Sequence, residues 1–201
     1  MRCVGTTSSG DGTVRTVGAP RSTPRGPGYA DPDRPQRIVD AALQVVGRVG
    51  VGRTTHRAIS AQSGIPLGSL TYHYDSLDDL LKTAFSQVAD RIAARFQRTM
   101  ARYAEDPREG VVAIIDEFVD EQHEDLVLSL ELYVLAARDQ RYREIMERWQ
   151  HAAAAVFAAH FDAVTARMVD ALLEGLIIHG ALSTEPHDRE FVRTAVYRIT
   201  S

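Results

Sequence analysis

The chain has 201 residues, 44% of them hydrophobic and 25% charged, which suits one mid-sized globular domain or a small domain fused to a larger one. No apolar run reaches the roughly 18 residues of a membrane-spanning helix, and the N-terminal segment lacks the apolar core of a secretory signal. The single cysteine, Cys3, excludes an internal disulfide and a zinc site of the usual thiolate kind. We therefore expect a cytoplasmic protein with no membrane partner.

The net charge of −4 is unevenly distributed. Residues 1–33 carry +1, residues 34–82 carry +2 and residues 83–201 carry −7. A mildly basic front and an acidic back suit a head that binds a polyanion and a body that avoids it. Chance variation in composition produces such an asymmetry as well.

Residues 1–32 are rich in Gly, Ser, Thr, Pro and Arg and show no periodicity, so we expect a disordered tail. Its arginines, Arg15, Arg21 and Arg25, are candidates for loose phosphate contacts. A solvated extension or a misplaced start is the simpler explanation of this segment.

Apolar residues at helical spacing predict a first helix from about 35 to 49, which Gly50 ends. A second helix, capped by Thr54 or Thr55, stops at Gly64. The same periodicity predicts seven further helices, at about 66–74, 76 to past 100, 108–121, 124–138, 140–161, 162–183 and 188–200. No stretch alternates as a strand does, so we expect an all-α protein of about nine helices.

The clearest functional signal lies between residues 54 and 81. Two short helices joined by a tight turn at Gly64 make a helix-turn-helix, whose second helix enters the major groove of DNA. Ala58, Ile59 and Leu70 are placed to pack the two helices together. The outer face of the third helix is then free to contact DNA, through Leu67, Gly68, Ser69, Thr71, Tyr72 and His73.

This segment resembles the tetracycline-repressor (TetR) family of bacterial transcriptional regulators. The resemblance rests on RIVDAAL at 37–43, Gly50, TTHRAIS at 54–60, SGIPLGSLTYHY at 63–74 and SLDDLL at 76–81. It implies an N-terminal helix-turn-helix DNA-binding domain at 33–81. It also implies a C-terminal helical effector-binding and dimerisation domain at 82–201.

Two positions depart from the family pattern. Thr71 stands where the family usually has a tyrosine, and Leu77 stands where it usually has a lysine that contacts phosphate. Because a phosphate-contacting lysine is missing, we expect a weaker dependence of DNA binding on salt. The phosphate contacts would then shift to Arg53, Arg57 and the arginines of the tail. The predicted DNA contacts also include Thr54, Thr55 and Pro66.

The resemblance also implies a small-molecule cavity between helices of residues 83–183. Aromatic and methionine side chains commonly line such pockets, with a few polar groups such as His123 and Tyr133. We expect a mainly apolar, uncharged or weakly charged effector, although plain core packing explains many of these side chains. The candidate lining residues are Phe96, Met100, Tyr103, Phe118, His123, Tyr133, Met146, Trp149, Phe157 and Met168.

The last two helices are candidates for a homodimer interface. A four-helix interface would hold two recognition helices about 34–36 Å apart, one turn of DNA, on a palindromic operator. The alternative is that these faces belong to the internal core. The predicted interface residues are Ala171, Leu172, Gly175, Leu176, His179, Leu182, Val192, Ala195, Val196 and Ile199.

Taken together, the sequence predicts a DNA-binding transcriptional regulator, in the first instance a repressor that a small-molecule effector releases from double-stranded operator DNA. An activator is the other possibility, because the sign depends on where the operator lies. A helical ligand-binding or scaffold protein without DNA contact is the alternative, which the missing lysine and the acidic total favour. No nucleophile–base pair or metal-ligating cluster is evident, so we expect no enzyme, no cofactor and no metal site.

Overall fold

The computed structural model describes residues 31–121 and 123–201, without the side chains of 120, 121 and 123. The predicted tail lies almost entirely outside this part of the chain. The described residues contain a short 3-10 helix, Val51–Arg53, nine α-helices and no strand, which confirms the all-α prediction. The α-helices are α1 (Arg34–Val49), α2 (His56–Ser63), α3 (Leu67–His73), α4 (Leu77–Arg102), α5 (Pro107–Glu121), α6 (His123–Arg138), α7 (Gln140–Ala158), α8 (Ala163–Leu182) and α9 (Arg189–Ile199).

Local chemistry sets most helix boundaries. The Thr55 side chain accepts a hydrogen bond from the Ala58 amide at 3.2 Å, and the Ser76 side chain accepts one from the Asp79 amide at 3.1 Å, so these residues cap α2 and α4. α7 ends three residues earlier than the sequence predicted. Asp162 explains this difference in part, because its carboxylate caps the amides that begin α8.

α4 organises the molecule. Its 26 residues span about 39 Å, and it packs against α1, α5, α6 and α7. Phe85 on α4 meets Tyr142 on α7 edge to face, with ring centroids 6.1 Å apart, and Phe96 meets Phe118 on α5 in the same way at 5.7 Å. The predicted domain boundary between residues 81 and 82 falls inside α4, so the head and the body share this helix.

Polar contacts also tie the body to the start of α4. The Asp78 carboxylate accepts a hydrogen bond from Arg141 at 2.6 Å and one from the Tyr142 hydroxyl at 2.8 Å, both at the N-terminal end of α7. Burial and the hydrogen bond to Asp78 raise the pKa of Tyr142. This hydroxyl therefore stays protonated and continues to donate to Asp78.

Candidate DNA-reading surface and effector cavity

The turn between α2 and α3 has the geometry that the sequence predicted. Gly64 has φ 68°, a left-handed conformation that favours glycine, and its amide donates to the Ser60 carbonyl at 3.0 Å. The Ser60 hydroxyl donates to the Ile65 carbonyl at 2.7 Å, which closes the turn. Ile59 and Leu70 are fully buried between the helices, so α2 and α3 are held as one unit.

The outer face of α3 is open to solvent. Tyr72 is 85% exposed, Leu67 is 40% exposed, and the ring of His73 lies edge-on to that of Tyr72 at 5.2 Å. Ser69 is the one predicted contact on this face that is half-buried. The remaining predicted residues here are exposed, namely Pro66, Gly68 and Thr71. The structure thus places a short, polar and aromatic helix face where a base edge or phosphate can reach it.

The turn before α2 and the start of that helix expose two arginines, but one of the DNA-contact residues predicted there is buried. Arg53 and Arg57 are exposed, and the Arg53 Nε donates to the Val49 carbonyl at 3.1 Å, which orients that guanidinium. Thr55 is exposed and caps α2. Thr54 corrects the sequence prediction, because it is only 5% exposed and its hydroxyl donates to the Gly50 carbonyl at 2.9 Å. It therefore shapes the turn and is not available to a phosphate.

Two residues next to α3 have structural roles. The Tyr74 hydroxyl donates to the Pro35 carbonyl at 3.3 Å, so Tyr74 packs against the start of α1. Leu77, at the position of the family's lysine, is partly buried against the core. This position therefore supplies apolar packing to the head and cannot supply a charge to DNA.

A cavity lies within the body, with walls from α4, α5, α6, α7 and α8. Only about 40 Å³ of the space between these helices admits the centre of a water molecule. The cavity is therefore narrow. The lining residues are Ile92, Phe96, Phe118, Leu126, Ser129, Leu130, Tyr133, Trp149, Gln150, Ala153, Asp170, Leu173, Glu174, Ile177 and Ile178.

Two carboxylates stand in this mainly apolar wall. Asp170 and Glu174 are one turn apart on α8, and the Tyr133 hydroxyl of α6 donates a hydrogen bond to Glu174. Burial, and then the neighbouring charge of Glu174, raise the pKa of Asp170 to about 6. Burial and the same carboxylate raise the pKa of Tyr133, which keeps its hydroxyl a donor. The cavity thus carries negative charge that no cation among its described lining residues offsets.

One further polar atom in the wall lacks a partner. The Trp149 indole Nε1 is buried and makes no hydrogen bond within the described residues. Its ring centroid lies 6.2 Å from that of Tyr133, and both rings line the same cavity as the two carboxylates. A buried donor without a partner is costly unless a ligand or water satisfies it.

Four of the predicted effector residues lie together in this cavity: Phe96, Phe118, Tyr133 and Trp149. Three others, Met100, Met146 and Phe157, are buried in the core outside its lining. Tyr103 and Met168 correct the prediction, because both are substantially exposed and neither reaches the cavity. The side chain of His123 lies outside what the structure describes.

The predicted interface residues divide between surface and core. Val192 and Val196 correct the prediction, since Val196 has 0% exposure and both lie in the core of their own chain. Five others form part of the accessible surface at intermediate burial: Leu172, Gly175, Leu176, Ala195 and Ile199. The exposed ones are Ala171, His179 and Leu182, all on α8.

Sequence reasoning missed the polar residues of the cavity. Asp170, Glu174 and Gln150 line it, and none was a predicted effector residue. A signal was present for the two acids, because α8 is otherwise strongly apolar and carries them at positions i and i+4. Two carboxylates on one face of an apolar helix are unusual for plain core packing.

Comparison with known proteins decides the family. A model of bacterial regulatory proteins of the tetR family matches residues 38–84, and a model of the tetracyclin repressor-like C-terminal domain matches residues 102–201. The structure of SCO1917 from Streptomyces coelicolor A3, a member of the TetR family, is 32% identical with a TM-score of 0.76, covering 85% of this chain and 99% of that one. The chain belongs to the TetR family. It is a DNA-binding transcriptional regulator and not an enzyme.

This TetR-family protein also matches other relatives over most of their length. SCO7518 from Streptomyces coelicolor A3(2), described as a transcriptional regulator, is 41% identical with a TM-score of 0.80, over 85% of this chain and 99% of that one. The multidrug binding protein EbrR, complexed with imidazole, is 33% identical with a TM-score of 0.74, over 85% and 97%. The regulator BetI 1 of Chromohalobacter salexigens is 24% identical over 180 residues, 83% of this chain and 88% of that protein.

Among residues 31–121 and 123–201, no helix is both long and apolar enough to cross a membrane. In the same part of the chain, no three His, Cys, Asp or Glu side chains are grouped so that they could hold a metal ion.

Proposed function

We propose that this protein is a dimeric repressor that an aromatic cation releases from a palindromic operator. The observation that supports this most strongly is the arrangement along α4. Its N-terminal end follows the exposed face of α3 directly, and its later turns line the cavity through Ile92 and Phe96. A ligand that binds one position of α4 better than another shifts the two DNA-reading heads with it.

The outer face of α8 supports the dimer. Val164, Met168 and Leu182 are exposed apolar residues, and Ala171 and His179 lie on the same stripe between them. The opposite face of α8 is buried in the body. A contiguous exposed apolar stripe of this length is a usual sign of a protein–protein contact, and small residues within it allow close helix approach. A second copy of α8, related by a two-fold axis, is the natural partner.

The carboxylates support a cationic effector, whereas the sequence led us to expect a mainly apolar, uncharged or weakly charged one. A cation beside the half-buried Asp170 and Glu174 would offset charge that no basic residue of the lining neutralises, and the aromatic rings of Trp149 and Tyr133 would attract it as well. EbrR has been crystallised with ethidium, malachite green and proflavin, which are aromatic cations. The same chemistry suits the cavity of this chain.

The proposal is tested by fluorescence anisotropy with labelled DNA from upstream of the gene. The protein should bind this DNA in preference to a scrambled sequence, with an affinity that falls as salt rises. Malachite green should then release the DNA, and its neutral leuco form should do so only weakly. Binding of the dye to the DNA itself is measured separately and subtracted.

The same experiment distinguishes the second candidate function. The apolar Leu77 at the position of the phosphate-contacting lysine favours a ligand-binding protein whose head no longer grips DNA. Tight dye binding with no sequence-preferring DNA binding, even at low salt, would establish that alternative and refute the repressor.

A further inference from the structure

A carboxylate of α6, one of the helices that line the cavity, contacts the DNA-binding head. Glu131 lies on α6, and one of its carboxylate oxygens accepts a hydrogen bond from the Val51 amide at 3.2 Å. We propose that Glu131 is a positioning residue that transmits effector binding through α6 to the turn before α2. This inference rests on the proposed effector response. It adds a second path by which effector binding reaches the head, beside the path along α4.

On the head side, the contact reaches a tight turn. Gly50 has φ 77°, a conformation that favours glycine, and a Cβ there would lie 3.0 Å from the other carboxylate oxygen of Glu131. The Gly50 carbonyl accepts from the buried Thr54 hydroxyl at 2.9 Å, and the Thr54 amide donates to the Val51 carbonyl at 3.0 Å. Thr55, the next residue, caps α2. A displacement at Val51 therefore moves the start of α2.

On the body side, the same helix forms part of the cavity. Leu130 and Tyr133, on either side of Glu131 in the chain, line it, and so do Leu126 and Ser129 one turn earlier. Because the cavity is narrow, a polycyclic ligand must push its walls apart. A helix moves as a rigid rod, so a displacement on the cavity face of α6 also moves its face towards the head.

A second glutamate of α6, Glu124, contacts the head by van der Waals packing and not by a hydrogen bond. Nearer the start of α6, the Cγ of Glu124 lies 4.0 Å from the position that a Cβ on Gly47 would occupy, an ordinary van der Waals distance. The carboxylate of Glu124 makes no hydrogen bond to the head within the described residues. Glu124 therefore serves as a matched control, being the same residue type on the same helix near the same end of α1.

The experiment compares operator affinity with and without saturating malachite green, and the ratio of the two dissociation constants is the coupling. Glu131→Ala should lower the coupling by about tenfold, within the usual range of allosteric coupling, while the dye affinity of the free protein changes little. Glu131→Gln should restore most of the coupling, because its amide oxygen can still accept from Val51. Glu124→Ala should behave as the wild type does.

Other results would refute either the role of Glu131 or the proposed function, and the two cases can be told apart. Wild-type coupling in Glu131→Ala would refute the role of Glu131 and leave the effector response intact. Equal losses of operator affinity with and without dye would also refute it, since they indicate a purely structural role. A wild-type protein that binds DNA and does not respond to dye would refute the proposed function itself. Should Glu131→Ala fail to fold, Glu131→Met keeps the aliphatic packing, removes the acceptor and is judged by the same criteria.

Discussion

Replacing Asp170 with asparagine should stabilise the protein at neutral pH. The carboxyl has a pKa of about 6 in the folded protein, raised by burial and by the charge of Glu174, against about 3.9 in an unfolded chain. Two units correspond to about 2.7 kcal/mol at ~1.36 kcal/mol each. Because this group is partly exposed, solvent screening reduces the expected gain to about 1–2 kcal/mol.

The stability of the wild-type protein should fall as the pH rises through the titration of Asp170. Between the unfolded and folded pKa values, the folded protein retains the proton of Asp170 and the unfolded chain has released it, so wild-type stability falls as the pH rises through this window. Above about pH 6 both states are ionised, and the penalty is constant. An asparagine side chain has no proton to release, so the advantage of Asp170→Asn should grow by about 1 kcal/mol between pH 4.5 and 7.5.

Urea unfolding followed by circular dichroism at several pH values measures this difference. Asp90→Asn, which removes an exposed carboxylate of α4, controls for the loss of one negative charge. An advantage of Asp170→Asn that stays constant or shrinks as the pH rises would refute the burial argument. In the wild type, malachite green should also bind more tightly as the pH rises through about 6, and Asp170→Asn should lose that dependence.

Two further substitutions test the surfaces. Tyr72→Ala should weaken operator binding by about tenfold through loss of a hydrogen bond in each half-site. The slope of affinity against salt should stay unchanged because no cation is removed, and unaltered operator affinity would remove Tyr72 from the contact surface. Met168→Asp places a charge on the exposed stripe of α8 and should reduce the mass in sedimentation equilibrium from a dimer to the 22.2 kDa of one chain, with unchanged helicity. A dimer that persists would place the interface elsewhere.

The head was predictable from sequence because its signals are local. A glycine at the αL position of Gly64, a cap at Thr55 and the apolar pair Ile59 and Leu70 each act over a few residues, and the structure has all of them. Thr54 shows where this reasoning fails. Nothing in the residue types distinguishes two adjacent threonines, and only the close approach of the Gly50 carbonyl determines which hydroxyl is buried.

The body was harder to predict because helix rotation depends on neighbours that are distant in the chain. Met168 and Val169 are adjacent and both apolar, yet Met168 is 44% exposed and Val169 is fully buried. Successive residues of a helix point about 100° apart, so the exposed face follows from packing against α5 and α7. The same reasoning explains why Val196 lies in the core when it was expected at an interface.

α8 joins the two parts of the proposed mechanism. A mainly apolar helix is normally buried, and the body buries the face of α8 that carries Val169 and Leu173. Leu173 also lines the cavity, together with Asp170 and Glu174, and the exposed stripe that includes Met168 remains. If a second copy covers that stripe, a cation that moves the carboxylates of α8 acts on a helix that also sets the distance between the two heads.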